Sequence, residues 1–143
     1  MPKIRRSATV VWEGNLARGT GAITAATGAF RALPYSMPTR GGEAEGKTSP
    51  EELLAAAHAG CFAMSIAGEL TGAGTPPERL EVGCEILMDE VEGQGHQIVA
   101  SSLTVSLEPP VDDLDAFVAK ADEGCPFSQL LKRAGATVSV DVG

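Results

Sequence analysis

The sequence predicts an α+β fold of order βββαββααβ with mainly antiparallel pairing. Three observations predict it: short β-branched runs fill the first third of the chain, one long Ala-rich helical pattern occupies the middle, and two longer strand patterns precede two short helices and a last strand. Ile4 to Trp12 is the first strand, stopped by Glu13-Gly14-Asn15. Thr20 to Thr24 and Phe30 to Leu33 flank a Thr27-Gly28 turn and complete three antiparallel strands. Residues 34 to 47 carry two prolines, three glycines and mixed charge, the composition of a surface loop. Loops of that length often carry function.

Ser49 then opens a helix, with Pro50 at its first position and Glu52 closing a capping box near the positive dipole end. The helix is expected to run to about Thr71. Its stripe of Leu53, Ala57, Gly60, Cys61, Met64 and Gly68 follows helical spacing and predicts a central, buried element. Leu80 to Met88 and Ile98 to Leu107 read as strands joined through Gly93-Gln94-Gly95. Leu114, Phe117, Val118 and Ala121 repeat at helical spacing up to Gly124. Pro126 starts a short helix through Ala134, and Thr137 to Val142 is the last strand.

With 143 residues the chain is expected to be one domain, residues 1–143. Apolar residues at 43% and charged residues at 21% describe a globular chain. A net charge of −8 argues against nucleic acid, which is bound through clustered Lys and Arg. Residues 1–13 contain no apolar run of signal-peptide length. His58, Ser65 and Glu69 interrupt the most apolar helix, so no membrane insertion is expected. Three cysteines without CxxC spacing fit a reducing compartment, and the expected location is cytoplasmic.

Two of those cysteines have contrasting settings. Cys61 lies deep in the small-residue helix; Cys125, between Gly124 and Pro126, lies where the chain changes direction. That pair suits a thiolate that attacks an O–O bond and a second thiol that captures the sulfenic acid as a disulfide. A thiol this far along its helix gains nothing from that helix's dipole, so Cys61 needs a cation. Arg18 and Arg40 are the candidates, with Glu51 suited to orient the guanidinium. Ten residues of helix separate Glu51 from Cys61 by about 15 Å, so one helix cannot join them. Antiparallel helices packed across a dimer axis through Ala57, Gly60 and Gly68 can, which predicts a homodimer with a shared active site. Cys84 is read as filler, and His58 as a packed histidine with at most a secondary influence on the thiol.

Four stretches together resemble the osmotically inducible protein OsmC and organic hydroperoxide resistance protein (Ohr) family. They are Trp12-Glu13-Gly14, Pro34-Tyr35 with Thr39-Arg40, the Pro50-to-Phe62 run containing Ala-Ala-His-Ala-Gly-Cys-Phe, and Gly124-Cys-Pro-Phe-Ser-Gln-Leu-Leu-Lys. His58 and the Tyr35–Arg40 loop resemble the OsmC branch more than the Ohr branch. The resemblance implies an intertwined homodimer wrapped around long central helices, and a peroxidase acting on organic hydroperoxides without metal or other cofactor. It implies Cys61 as peroxidatic thiol, Cys125 as resolving thiol and Glu51 as the carboxylate on an active-site arginine, with Arg18 and Arg40 both in family-like contexts. It further suggests a dithiol reductant such as a lipoylated protein. Tyr35, Met37, Phe62 and Phe127 are candidate apolar walls for an alkyl or lipid hydroperoxide. Gly60 in place of the commoner alanine, and the extra Cys84, are modest departures.

Two rival readings are weighed against this one. Gly41 to Thr48 satisfies GxxxxGK[ST] ahead of a helix, yet Glu43 and Glu45 would oppose phosphate, and Pro34 and Pro38 stand where a buried parallel strand should be. The same thiols would also serve a non-catalytic redox-sensing dimer, which sustained turnover distinguishes from a peroxidase. Two histidines and three cysteines show no metal-ligand spacing.

Overall fold

A computed structural model describes residues 3–143. The chain divides into two compact units, one extending through Pro50 and the other covering Glu51–Gly143.

In the first unit, β1 (Ala8–Glu13), β2 (Thr20–Ala25) and β3 (Leu33–Tyr35) form an antiparallel sheet in that order. The third strand lies later than the Phe30–Leu33 expected, and includes Pro34. A proline has no N–H for a ladder, and β3 tolerates it because it is an edge strand. The register places Gly21 between Trp12 and Tyr35. The two rings meet edge to face at 5.7 Å, in space that a Cβ at Gly21 would fill, 2.3 Å from Tyr35 Cε1.

The expected loop over residues 34–47 contains this strand and a short helix, α1 (Met37–Gly41). Ser36 Oγ accepts from the Thr39 N–H and Thr39 Oγ1 accepts from the Ser36 N–H, at 3.2 and 3.1 Å. Threonine thus takes the place that Glu or Gln usually holds in a capping box, which hid the signal.

The second unit begins with α2, whose span is Pro50–Gly72. A sheet follows in the order β4 (Arg79–Val91), β5 (Gly95–Glu108), β6 (Thr137–Val142), with β4 antiparallel and β6 parallel to β5. Between β5 and β6 come α3 (Leu114–Gly124) and α4 (Pro126–Arg133). The second half of β5 alternates strictly: Ser101, Leu103, Val105 and Leu107 are buried while Ser102, Thr104, Ser106 and Glu108 are exposed. Leu103, Val105 and Leu107 join Phe62, Ile66 and Leu70 of α2, Val118 and Ala121 of α3, and Cys125 in one core. Each large apolar side chain buried there contributes about 1.5–3 kcal/mol.

The buried face of α2 is His58, Phe62, Ile66 and Leu70, one residue per turn. The stripe expected to be buried is turned elsewhere: Gly60, Met64 and Gly68 are exposed, Met64 by 78%. By length and composition alone, α2 is long and apolar enough to cross a membrane, as the core helix of a globular protein also can be. The three polar residues that interrupt its apolar run, His58, Ser65 and Glu69, are tied into the unit. His58 meets two serines, Ser65 Oγ donates to the Ala121 carbonyl at 2.8 Å, and Glu69 pairs with Lys120 at 3.4 Å.

Candidate active site

Pro126 determines how Cys125 is presented. A proline disfavours helical backbone in the residue before it, and Cys125 is extended at φ −84°, ψ 112°, closing α3 and capping α4. Its thiol is fully buried and points at α2, where the half-buried Cys61 flanks Phe62. The two Sγ atoms are 3.5 Å apart, and both cysteines are free. A disulfide needs about 2.05 Å, so a small closure separates this pair from a covalent bond.

Burial pushes the Cys61 thiol above its ordinary pKa, and the hydrogen bond with Cys125 pushes it the same way. The backbone N–H of Phe127, in the first turn of α4, opposes both by donating toward the sulfur. Burial is the largest of these influences, so the net shift favours the protonated thiol.

Directly beneath the pair lies a closed polar cluster. His58 is fully buried one turn before Cys61, with Nδ1 2.6 Å from Ser101 Oγ on β5 and Nε2 2.7 Å from Ser128 Oγ on α4. Ser101 and Ser128 are themselves fully buried. Burial lowers the His58 pKa; Asp122 raises it and Lys132 lowers it by smaller amounts. Cys84 Sγ extends the cluster, 3.2 Å from Ser101 Oγ and 3.8 Å from His58 Nδ1, and burial raises its pKa. Cys84 is therefore more than filler: its sulfur is a polar neighbour of the histidine.

The first unit holds a groove of about 320 Å³ lined by Trp12, Leu16, Tyr35, Ser36, Met37 and Arg40. Three residues singled out in the sequence, Tyr35, Met37 and Arg40, thus share one apolar cleft. Arg18 does not line it; it is exposed in the β1–β2 turn, its backbone N–H donating to Asn15 Oδ1. Glu51 lies in the first turn of α2. Phe127 is 38% exposed. Phe62, expected as a pocket wall, is sealed in the core edge to face with His58, because its helical position falls on the buried stripe. Sequence reasoning missed Trp12 and Leu16 as groove walls, the Phe127 amide, and Ser101 and Ser128. Only Ser128 carried a local signal, three residues after Cys125.

Gly41 to Thr48 starts at the last residue of α1 rather than after a strand, so the phosphate-loop pattern lacks its strand–loop–helix setting. Among the described residues no group of three or more His, Cys, Asp or Glu is placed to hold a metal ion.

Peroxiredoxin OsmC of Escherichia coli is 36% identical over 132 residues, covering 90% of this chain and 91% of that protein. Among solved structures, an organic hydroperoxide resistance protein OsmC from Legionella pneumophila matches with TM-score 0.78 at 25% identity, covering 99% of each chain. Organic hydroperoxide resistance protein OhrB of Bacillus subtilis matches with TM-score 0.76 at 25% identity, covering 96% of this chain and 98% of that one. The family model for OsmC-like protein matches residues 41–141, which include both facing cysteines, and the chain belongs to that family.

Proposed function

We propose that the protein is a thiol peroxidase that reduces organic hydroperoxides to alcohols through Cys61 and Cys125. The observation that carries this reading is the 3.5 Å approach of two free sulfurs from different elements. The names of the relatives, a peroxiredoxin and organic hydroperoxide resistance proteins, support it.

In this reading the Cys61 thiolate attacks the terminal peroxide oxygen. The O–O bond breaks, the alcohol leaves with a proton, and Cys61 becomes a sulfenic acid. The Cys125 thiol attacks that sulfur, expelling water and forming the Cys61–Cys125 disulfide. An external dithiol, such as that of a lipoylated protein, returns both thiols by exchange. A reducing cytoplasm would sustain the cycle. The thiolate needs a cation strong enough to outweigh burial, and we assign Arg40, which lines the apolar groove, in preference to Arg18; Glu51 orients the guanidinium. Tyr35 and Met37, with Trp12 and Leu16, offer apolar contact to an alkyl chain, and Phe127 contributes its exposed ring. The working form is a homodimer in which each site draws on both chains. The exposed apolar face of α2 supports it, since a helix apolar on all sides is normally covered on all sides.

The test is consumption of cumene hydroperoxide with a dihydrolipoyl reductant. Wild type should turn over many times, Cys61→Ser should be inactive, and Cys125→Ser should stop after one oxidation. Arg40→Met should lose about tenfold in rate at neutral pH for each pKa unit that the thiol rises, whereas Arg18→Met stays near wild type. Full activity in Cys61→Ser would overturn the proposal, and a single oxidation without turnover in wild type would favour redox sensing.

A further inference from the structure

We infer that His58 is a positioning residue for disulfide closure: its Nε2 bond to Ser128 holds the first turn of α4, and with it Cys125, at striking distance from Cys61. This inference rests on the thiol-pair reading above and adds a residue to it.

The geometry is a three-point attachment. The first turn of α4 runs from the Cys125 cap through Pro126 and Phe127 to Ser128. At one end Cys125 Sγ meets Cys61 Sγ at 3.5 Å, in the middle the Phe127 N–H is directed at the same sulfur, and at the other end Ser128 Oγ meets His58 Nε2 at 2.7 Å. Cys61 and His58 lie on adjacent turns of α2, so a single stretch of helix grips a single turn of its neighbour. On its other side Nδ1 meets Ser101 Oγ at 2.6 Å, and the Phe62 ring, edge to face at 6.3 Å between centroids, holds the imidazole in place whether or not that second bond is made. All three members of the bridge are fully buried, so no water competes for either ring nitrogen.

The consequence is kinetic. Once Cys61 is a sulfenic acid, two reactions compete. The Cys125 thiol displaces water to form the disulfide, or a second hydroperoxide transfers another oxygen to sulfur, giving a sulfinic acid and a second alcohol. The first is intramolecular, and its advantage depends on how firmly the two sulfurs are kept near bonding distance. Loosening the Ser128 end of the bridge should leave peroxide attack on Cys61 unchanged and slow the closure that follows.

The test uses two pairs of variants that cut opposite ends of the bridge. Ser128→Ala removes the α4 end and Ser101→Ala the β5 end. His58→Asn keeps an amide near the Nδ1 position and loses contact with Ser128; His58→Gln reaches the Nε2 position and keeps it. Disulfide and sulfinic acid are quantified by mass spectrometry after a pulse of cumene hydroperoxide, with melting temperature measured in parallel. Closure should be about tenfold slower, with more sulfinic acid, in Ser128→Ala and His58→Asn, and near wild type in Ser101→Ala and His58→Gln. Equal partitioning in all four variants, or equal impairment of all four in step with lost stability, overturns the inference. Diamide oxidises the dithiol directly without peroxidase chemistry, so closure rates with diamide judge the bridge independently. If peroxide fails to oxidise Cys61 while the diamide rates separate the two pairs, the proposed reaction falls and the bridge stands.

Discussion

At the residue scale, a buried imidazole with both nitrogens bonded to hydroxyls ties stability to pH. Burial lowers the His58 pKa, Asp122 partly opposes this, and Lys132 adds to it. Above pH about 6.5 the ring is neutral folded or unfolded, so its contribution is fully present there. As pH falls below that value the unfolded chain takes up the proton first, and stability is lost progressively until the depressed folded pKa is reached. The urea midpoint should therefore fall between pH 7 and pH 5.5, and fall less in His58→Gln; equal slopes would remove His58 as the source. The facing of Cys61 and Cys125 was foreshadowed in the sequence because each carries its setting locally, an Ala-rich helix for Cys61 and a following proline for Cys125. The histidine's role was not, since its partners Ser101 and Ser128 lie 43 and 70 residues away in sequence, and only sheet and helix packing unites them.

Periodicity at the element scale located α2, α3, α4 and β6 to within a residue or two, because each has a clear apolar face or a proline or glycine at its boundary. It failed at β3 and α1, where a proline sits in an edge strand and a threonine completes the capping box, both departures from the commoner residue choice. The groove walls were illegible for a related reason. Trp12 and Tyr35 come together only through the β1–β2–β3 register, which a glycine in the middle strand makes possible. Gly21→Ala tests this. Its Cβ would stand 2.3 Å from Tyr35 Cε1 and 2.9 Å from Trp12 Cε3, so at least one ring must shift. The variant should lose about 1–3 kcal/mol, read as a lower melting temperature. If the groove receives the hydroperoxide, KM should rise more for cumene hydroperoxide than for hydrogen peroxide. An unchanged melting temperature would mean the two rings do not compete for that space.

For the whole molecule, the decisive feature is that α2 is apolar on more faces than its own chain covers. One face packs into the core through Phe62, Ile66 and Leu70, while Gly60, Met64 and Gly68 remain exposed. A Cβ at Gly60 or Gly68 would meet nothing within 4 Å. In an isolated chain, replacing either glycine should therefore strengthen the helix, by about 0.5–1 kcal/mol for alanine. The opposite is expected if a second copy packs its helix against this face, because small residues are what allow two helix backbones to approach closely. The sign of the effect thus separates an open surface from an interface. Sedimentation at micromolar concentration should find wild type dimeric, and Gly60→Leu and Gly68→Leu should weaken association by about tenfold or more while the helical circular dichroism signal is retained. Met64→Glu, which places a charge on the same face, should act in the same direction. Variants that remain dimeric, or that simply gain stability, would show that this face of α2 does not meet a second copy, and the site would then have to be completed within one chain.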